Sequence, residues 1–397
     1  MGKKKRVFLI VSLLYIVYLI FPFMSDILPL PVGGLNILVV CVLLVTNPRA
    51  LACPLSLWAM LYFFVLIIYS LFGKQLPAFG VGDYSSFRIA VFEMGSLLPP
   101  ILIYENLMYF NDDGLFSKIT LFTVILLLVS LLYVIPVAMT DVNLLRESVV
   151  RGENHVWGIP SYALTHSYMI IIPGILFGLH SSKGYKWWIL LILLLFVSYT
   201  VYLSYVTTII ILSAIVIFAS SLYSENQGKL MLRLFSLSFL FVLLYFSGFF
   251  ELLLDSLVNV FTGTAAQNKM IEIRSMLLGG NAETIVFDER KRLHQISYEA
   301  FNNNIWIGSL PVGGHSVLVD RLGGLGLIGF VPFIAMIITQ VHSFSTYLVD
   351  RKGRYHYLLG AACVIILLYQ KGLFGSEGWL FLFVLLPCFI RRFQRSR

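Results

Sequence analysis

Apolar runs of about 17–25 residues follow one another along most of this chain, each long enough to cross a bilayer as a helix. They lie near 7–24, 31–47, 54–73, 87–108, 117–138, 161–180, 186–202, 204–223, 230–250, 322–343, 356–373 and 377–391. The apolar stretch from Trp187 to Ser221 is too long for one span and is divided near Ser204. Residues are 59% hydrophobic and 12% charged. Soluble domains carry roughly twice that charge, so lipid must be the solvent. The expected fold class is an all-α integral membrane protein of about 12 transmembrane helices. Its expected parts are a first membrane bundle over 1–250, a large outer loop over 251–321, and the last three spans with a basic tail over 322–397.

The formal net charge of +8 could suggest nucleic acid, but the basic residues sit at span ends. Lys3, Lys4, Lys5, Arg6, Arg49, Lys118, Lys183, Lys186, Lys229, Arg233, Arg351, Lys352 and Arg354 fall in short loops or at the start, and Arg391, Arg392, Arg395 and Arg397 in the tail. Short basic loops stay cytoplasmic, which places both termini in the cytoplasm and agrees with an even count of spans. Lys3 to Arg6 with the apolar run to Phe23 lacks a small-residue cleavage site and reads as an uncleaved first helix. Cys41, Cys53, Cys363 and Cys388 lie in or beside apolar runs without a CxxC pair and read as small core residues.

Two outer segments are long, near 140–161 and 251–321. They carry Arg146, Arg151, Lys269, Arg274, Arg290, Lys291, Arg292 and, at the membrane edge, Arg321. Guanidinium grips phosphate through a forked, permanently charged donor set. A cluster beside the membrane suits a lipid-linked phosphate or diphosphate; solvated charge, or attraction to anionic headgroups, is the plainer alternative. Leu293, Ile296, Ala300 and Phe301 recur at helical spacing, which predicts an amphipathic helix from Arg290 to Phe301, ended by Asn302-Asn303-Asn304. Glu93 lies inside a span, where a charge costs about 2.5–3.5 kcal/mol. It is a functional candidate or a carboxyl bonded to a neighbouring helix. Lys371 and Glu377 sit near a predicted outer turn.

Gly313-Gly314-His315-Ser316 leads from the large loop into a span. The glycine pair permits a tight turn, which sets His315 at or just before a helix N-terminus at the bilayer surface. Neutral imidazole there can take a proton from a sugar hydroxyl, and the positive end of the helix dipole disfavours imidazolium. Gly323, Gly324, Gly326 and Gly329 allow close helix packing or substrate approach. A headgroup-level histidine and a Gly-rich helix interface are the plainer reading of the same residues.

His315-Ser316, nine residues, Gly326, two residues and Gly329 resemble the signature of the O-antigen ligase and O-antigen polymerase (Wzy-type) superfamily. That signature is a His followed by Asn, Ser or Gln, nine residues, then Gly-x-x-Gly. Arg292, the amphipathic helix to Phe301 and Trp306-Ile307-Gly308 are similar to the family's Arg-led helix and Gly-rich turn before the His. So is the layout with one large outer loop before the last three spans; residue-level similarity is confined to 290–329. The resemblance implies a metal-independent, cofactor-free glycosyltransferase. Its donor is a glycan on undecaprenyl diphosphate at the outer face of the bacterial inner membrane. It implies that His315 activates the acceptor hydroxyl, and that Arg292, with Arg290 close behind, binds the diphosphate.

The chain departs from this family at two places. Family members often carry Ser-Arg at the outer turn between spans seven and eight, where Ser204-Tyr205 stands here, followed by Val206-Thr207-Thr208. Arg151 is the expected substitute ligand, with Arg146 and Arg274 in reserve and Arg321 a further candidate. Phe330-Val331 replaces the hydroxyl-bearing pair often seen in ligases, which favours a polymerase. The expected function is a polysaccharide (O-antigen, capsule or exopolysaccharide) repeat-unit polymerase. Expected partners are the undecaprenyl-diphosphate-linked oligosaccharide, the bilayer, and a chain-length regulator or other polysaccharide assembly proteins. The alternatives are an O-antigen ligase that delivers glycan to lipid A core, and a transporter or lipid-linked sugar flippase, which calls for ionisable groups on facing spans and broken helices. An assembly subunit without activity is a third.

Overall fold

The computed structural model describes residues 2–21, 32–77, 85–140, 162–204, 206–223, 247–263, 285–370 and 375–394, with isolated positions between them. Among these residues the regular structure is helical throughout, without a strand. Among the described residues, six helices are long and apolar enough to cross a membrane: Pro54–Leu71, Ser86–Phe110, Asp113–Ala138, Ala163–Ser181, Tyr185–Leu203 and Val317–Tyr347. Gly34–Thr46 and Thr207–Leu222 are apolar but shorter. The Lys3–Ile20 and Arg351–Gln370 helices each open on a basic turn, which shortens their apolar length. Among the described residues the multi-span helical architecture therefore rests on fewer full-length spans than the expected set. The expected span over 230–250 lies largely outside the described residues.

Helix limits follow local chemistry. Ser85 accepts the Arg88 amide at 3.4 Å at the start of Ser86–Phe110, and Asn111 ends that helix in the left-handed region (φ 43°). Asp112 then caps Asp113–Ala138 by accepting the Gly114 amide at 2.9 Å. The break inside the long apolar stretch falls where it is expected. The Ser204 hydroxyl donates to the Val201 carbonyl at 2.6 Å and accepts the Val206 amide at 3.3 Å, so one helix stops at Leu203 and the next begins at Thr207. A serine that bonds its own backbone competes with helix continuation.

The interior is built around two elements. Ala163–Ser181 is the most enclosed of the apolar helices. Ser376–Leu380, a π-helical turn at Phe381–Leu385 and Leu386–Phe393 form a rod whose residues from Gly378 to Ile390 are all buried. The outer face is as apolar as the inside: Leu14, Leu132 and Trp188 are 61%, 59% and 60% exposed. Such a face belongs in hydrocarbon, where helices associate by close packing and interhelical hydrogen bonds. Cys363 and Cys388 are buried as expected, whereas Cys41 is exposed on that outer face, so the reading of all four cysteines as core residues is corrected there.

Charge organises one end of the bundle. Lys5 pairs with Asp112 at 2.7 Å, Arg391 pairs with Asp113 at 2.8 Å, and Tyr347 donates to Asn111. The first helix, the C-terminal rod and the end of Val317–Tyr347 are thus tied to one turn. The start of Val317–Tyr347 lies at the opposite end.

Candidate functional site

At that opposite end the amphipathic helix is present as Ile285–Asn303 and packs on the start of Val317–Tyr347. Ser297 and Ala300 are buried, while Lys291, Arg292, Gln295, Tyr298 and Glu299 are exposed. Ser297 is the polar pin between the helices. Its hydroxyl donates to Asp320 Oδ1 at 2.7 Å and accepts the Gly313 amide at 2.8 Å. Asp320 Oδ2 accepts the Ser316 amide at 2.9 Å, and the Ser316 hydroxyl accepts the Val319 amide at 3.2 Å. Ser316 is therefore the N-cap of Val317–Tyr347, and the half-buried His315 stands one residue before it, as the sequence predicts.

Three successive residues at the end of Arg351–Gln370 meet this assembly. Ser316 Oγ donates to the Leu368 carbonyl at 3.4 Å. The Tyr369 ring stands edge-on to His294, with centroids 5.2 Å apart. Arg290 Nη1 donates to Gln370 Oε1 at 3.4 Å. Ser316, the neighbour of His315, and Arg290 thus meet one helix end. Arg290, Lys291, His294, Gln295, Tyr298, Glu299, Asn302, Tyr369 and Gln370 line an open cleft of about 730 Å³.

The expected anion ligands go to different places. Arg290 lines the cleft. Arg292 lies two residues on, turned by roughly 200° around the helix, 65% exposed and paired with Glu289 at 2.7 Å. The Arg292 guanidinium holds the Glu289 carboxyl below the usual glutamate range, and the carboxylate in turn holds Arg292 protonated. Arg274 pairs with Asp255 at 2.7 Å. Arg146 and Arg151, with Lys269 and Lys371, lie outside the described residues.

Arg321 is deep in the bundle. Its Nη2 donates to Glu93 Oε1 at 2.6 Å, its Nε donates to the Tyr62 hydroxyl at 3.1 Å, and the guanidinium lies 4.6 Å from the Phe333 ring centre. Both charged side chains are under 10% exposed. Glu93 thus has an ionic partner on a facing helix, and Arg321 is engaged inside the protein.

The Gly-rich segment has a definite backbone task. Gly326 takes φ 61° and ψ −167°, a conformation essentially reserved to glycine, and interrupts the helix. The freed groups are paired by the 304–310 loop. Leu327 and Ile328 amides donate to Ile305 and Trp306 carbonyls at 2.9 and 3.0 Å, and the Ser309 amide donates to the Gly323 carbonyl at 2.9 Å. A Cβ on Gly323 would sit 2.4 Å from the Ser297 carbonyl oxygen, so this residue admits the amphipathic helix. The Tyr69 hydroxyl donates to the Leu325 carbonyl at 3.1 Å, and Lys74 Nζ donates to the Gly308 carbonyl at 3.3 Å.

Sequence reasoning missed His294, Tyr298, Tyr369 and Lys74. His294 and Tyr298 follow Arg290 at four-residue intervals, so phasing the amphipathic helix on its polar face could have found them. Lys74 sits beside an apolar run and Tyr369 inside one, and neither carries a local signal. Among the described residues no three His, Cys, Asp or Glu side chains form a metal-ligating group. The chain matches no protein-family model, and no curated protein shows significant sequence similarity to it.

Proposed function

We propose that this chain is a polysaccharide repeat-unit polymerase of a bacterial inner membrane, with twelve spans and both termini cytoplasmic. A growing glycan on undecaprenyl diphosphate would be the donor, and the terminal sugar of a second lipid-linked unit the acceptor. The acceptor hydroxyl oxygen attacks the anomeric carbon, the bond from that carbon to the diphosphate oxygen breaks, and His315 takes the hydroxyl proton. Negative charge gathers on the departing diphosphate, where Arg290 and Lys291, which line the cleft, supply cations. The observation that supports this reading is that Ser316, next to His315, and Arg290 both contact one helix end, 368–370, with Arg290 lining an open cleft. Catalytic groups must share a site to act on one bond.

The test is extension of a lipid-linked repeat unit by purified protein in detergent. His315→Ala should remain folded and give little long-chain product. Normal product length from that variant would defeat the assignment.

A transporter or lipid-linked sugar flippase is the second reading, favoured by the Glu93–Arg321 pair on facing helices and by the helix interrupted at Gly326. Lipid-linked sugar crossing proteoliposomes without glycan extension, and lost in Glu93→Gln, would select it.

A further inference from the structure

Lys74 lies in a groove separate from the cleft above, about 560 Å³ in volume and formed by Tyr69, Phe72, Lys74, Ile307, Gly308 and Leu310 among its lining residues. Its ammonium sits 4.2 Å from the Tyr69 ring centre and donates to the Gly308 carbonyl at 3.3 Å. An ammonium has three donors, so one long bond to a carbonyl leaves it able to grip another acceptor. Among the described residues no carboxylate forms an ion pair with it. The side chain is half-buried, and burial alone pulls its pKa from 10.5 down to about 8. A cation desolvated without a counter-charge is an arrangement that an anion would complete.

The groove walls specify what kind of anion. Phe72 is 86% exposed beside Lys74, and the adjoining Trp306 is 66% exposed. Both stand at the end of the bundle where apolar helices finish, the level at which aromatic rings meet lipid headgroups. We propose that this groove binds a phosphate-bearing lipid, with the phosphate on Lys74 and the hydrocarbon chain along Phe72. The occupant is an amphiphile because one wall is cationic and the other is apolar and exposed. The site does not depend on the polymerase reading and is tested without an activity assay.

The full chain in detergent is exposed to dioleoyl phosphatidic acid, dioleoyl phosphatidylcholine or inorganic phosphate, and retained lipid is counted by native mass spectrometry. Wild type should retain phosphatidic acid roughly tenfold or more over phosphatidylcholine, the scale of a charge-assisted hydrogen bond. Lys74→Gln should abolish that preference and Lys74→Arg should keep it. Lys186→Gln, at an exposed position, should leave it unchanged. Phe72→Ser, at a position free of packing constraint, should lower retention and decides the matter should Lys74→Gln fail to fold. Undiminished preference in Lys74→Gln, or full retention in Phe72→Ser, overturns the proposal. Displacement of the lipid by an equal concentration of inorganic phosphate would also overturn it, since the site would then recognise free anion alone.

Discussion

Arg321 and Glu93 are 228 positions apart in the chain and 2.6 Å apart in the structure. Tyr62 completes the contact, so Val317–Tyr347, Ser86–Phe110 and Pro54–Leu71 are joined at one buried point. Removing one member of a buried pair leaves the other charged and unmatched, at a cost of about 3–5 kcal/mol. Glu93→Gln and Arg321→Met should each lower the thermal unfolding midpoint in detergent. The double variant should recover most of the loss. Additive losses would show that the two side chains do not act as a pair.

Gly326→Ala should damage the loop joint. The backbone there is in a region closed to alanine, and a Cβ would fall 2.5 Å from the Gly308 amide nitrogen and the Trp306 carbonyl oxygen. We expect a loss of about 3 kcal/mol or more, with faster hydrogen exchange at the Ser309, Leu327 and Ile328 amides. Unchanged exchange at those three amides would mean that the loop does not depend on this glycine.

Lys74 should titrate near 8, below the ordinary lysine value of 10.5. Its folded-state value lies below its unfolded value of 10.5, so unfolding takes up protons between them. The stability it confers is fully present above about 10.5 and is lost as pH falls through about 8. Competitive acylation across pH 6 to 11, read by peptide mapping, should show Lys74 reacting early. A reactivity midpoint near 10.5 would contradict the burial of its ammonium.

Arg290 and Arg292 separate the faces of the amphipathic helix. Arg290→Ala should lower polymer formation roughly 10–100-fold, the scale of one hydrogen bond to a charged group. Arg292→Ala should cost less than about threefold, since an exposed ion pair contributes about 0–1 kcal/mol. Turnover of lipid-linked repeat units by each purified variant is the measurement; a greater loss from Arg292→Ala would reverse the assignment.

Much of the helical organisation was legible because apolar length and polar interruption are local properties. Ser204 shows this: its own hydroxyl ends the helix that the hydrophobic run would otherwise continue. His315 was placed at a helix start by the neighbouring glycine pair, and Ser316 caps that helix in the structure. The Glu93–Arg321 contact was not legible, because nothing near residue 93 records what residue 321 will touch. Arg321 looked like an edge residue because a single-chain reading counts from the span boundary, while the helix begins earlier, at Val317, and carries it inward. Arg292 was preferred to Arg290 on resemblance, whereas helical phase puts the two on different faces.

The rod from Ser376 to Phe393 comes later in the sequence than the helices it packs against, yet it is buried among them. Ribosomal synthesis proceeds from the other end, so the surrounding helices must enter the bilayer before their central pillar exists. Until then the helix faces that pack on Trp379 to Ile390 lack their partner. Stopping translation before residue 376 should therefore leave an inserted but protease-sensitive product, and supplying the missing segment in trans should restore resistance.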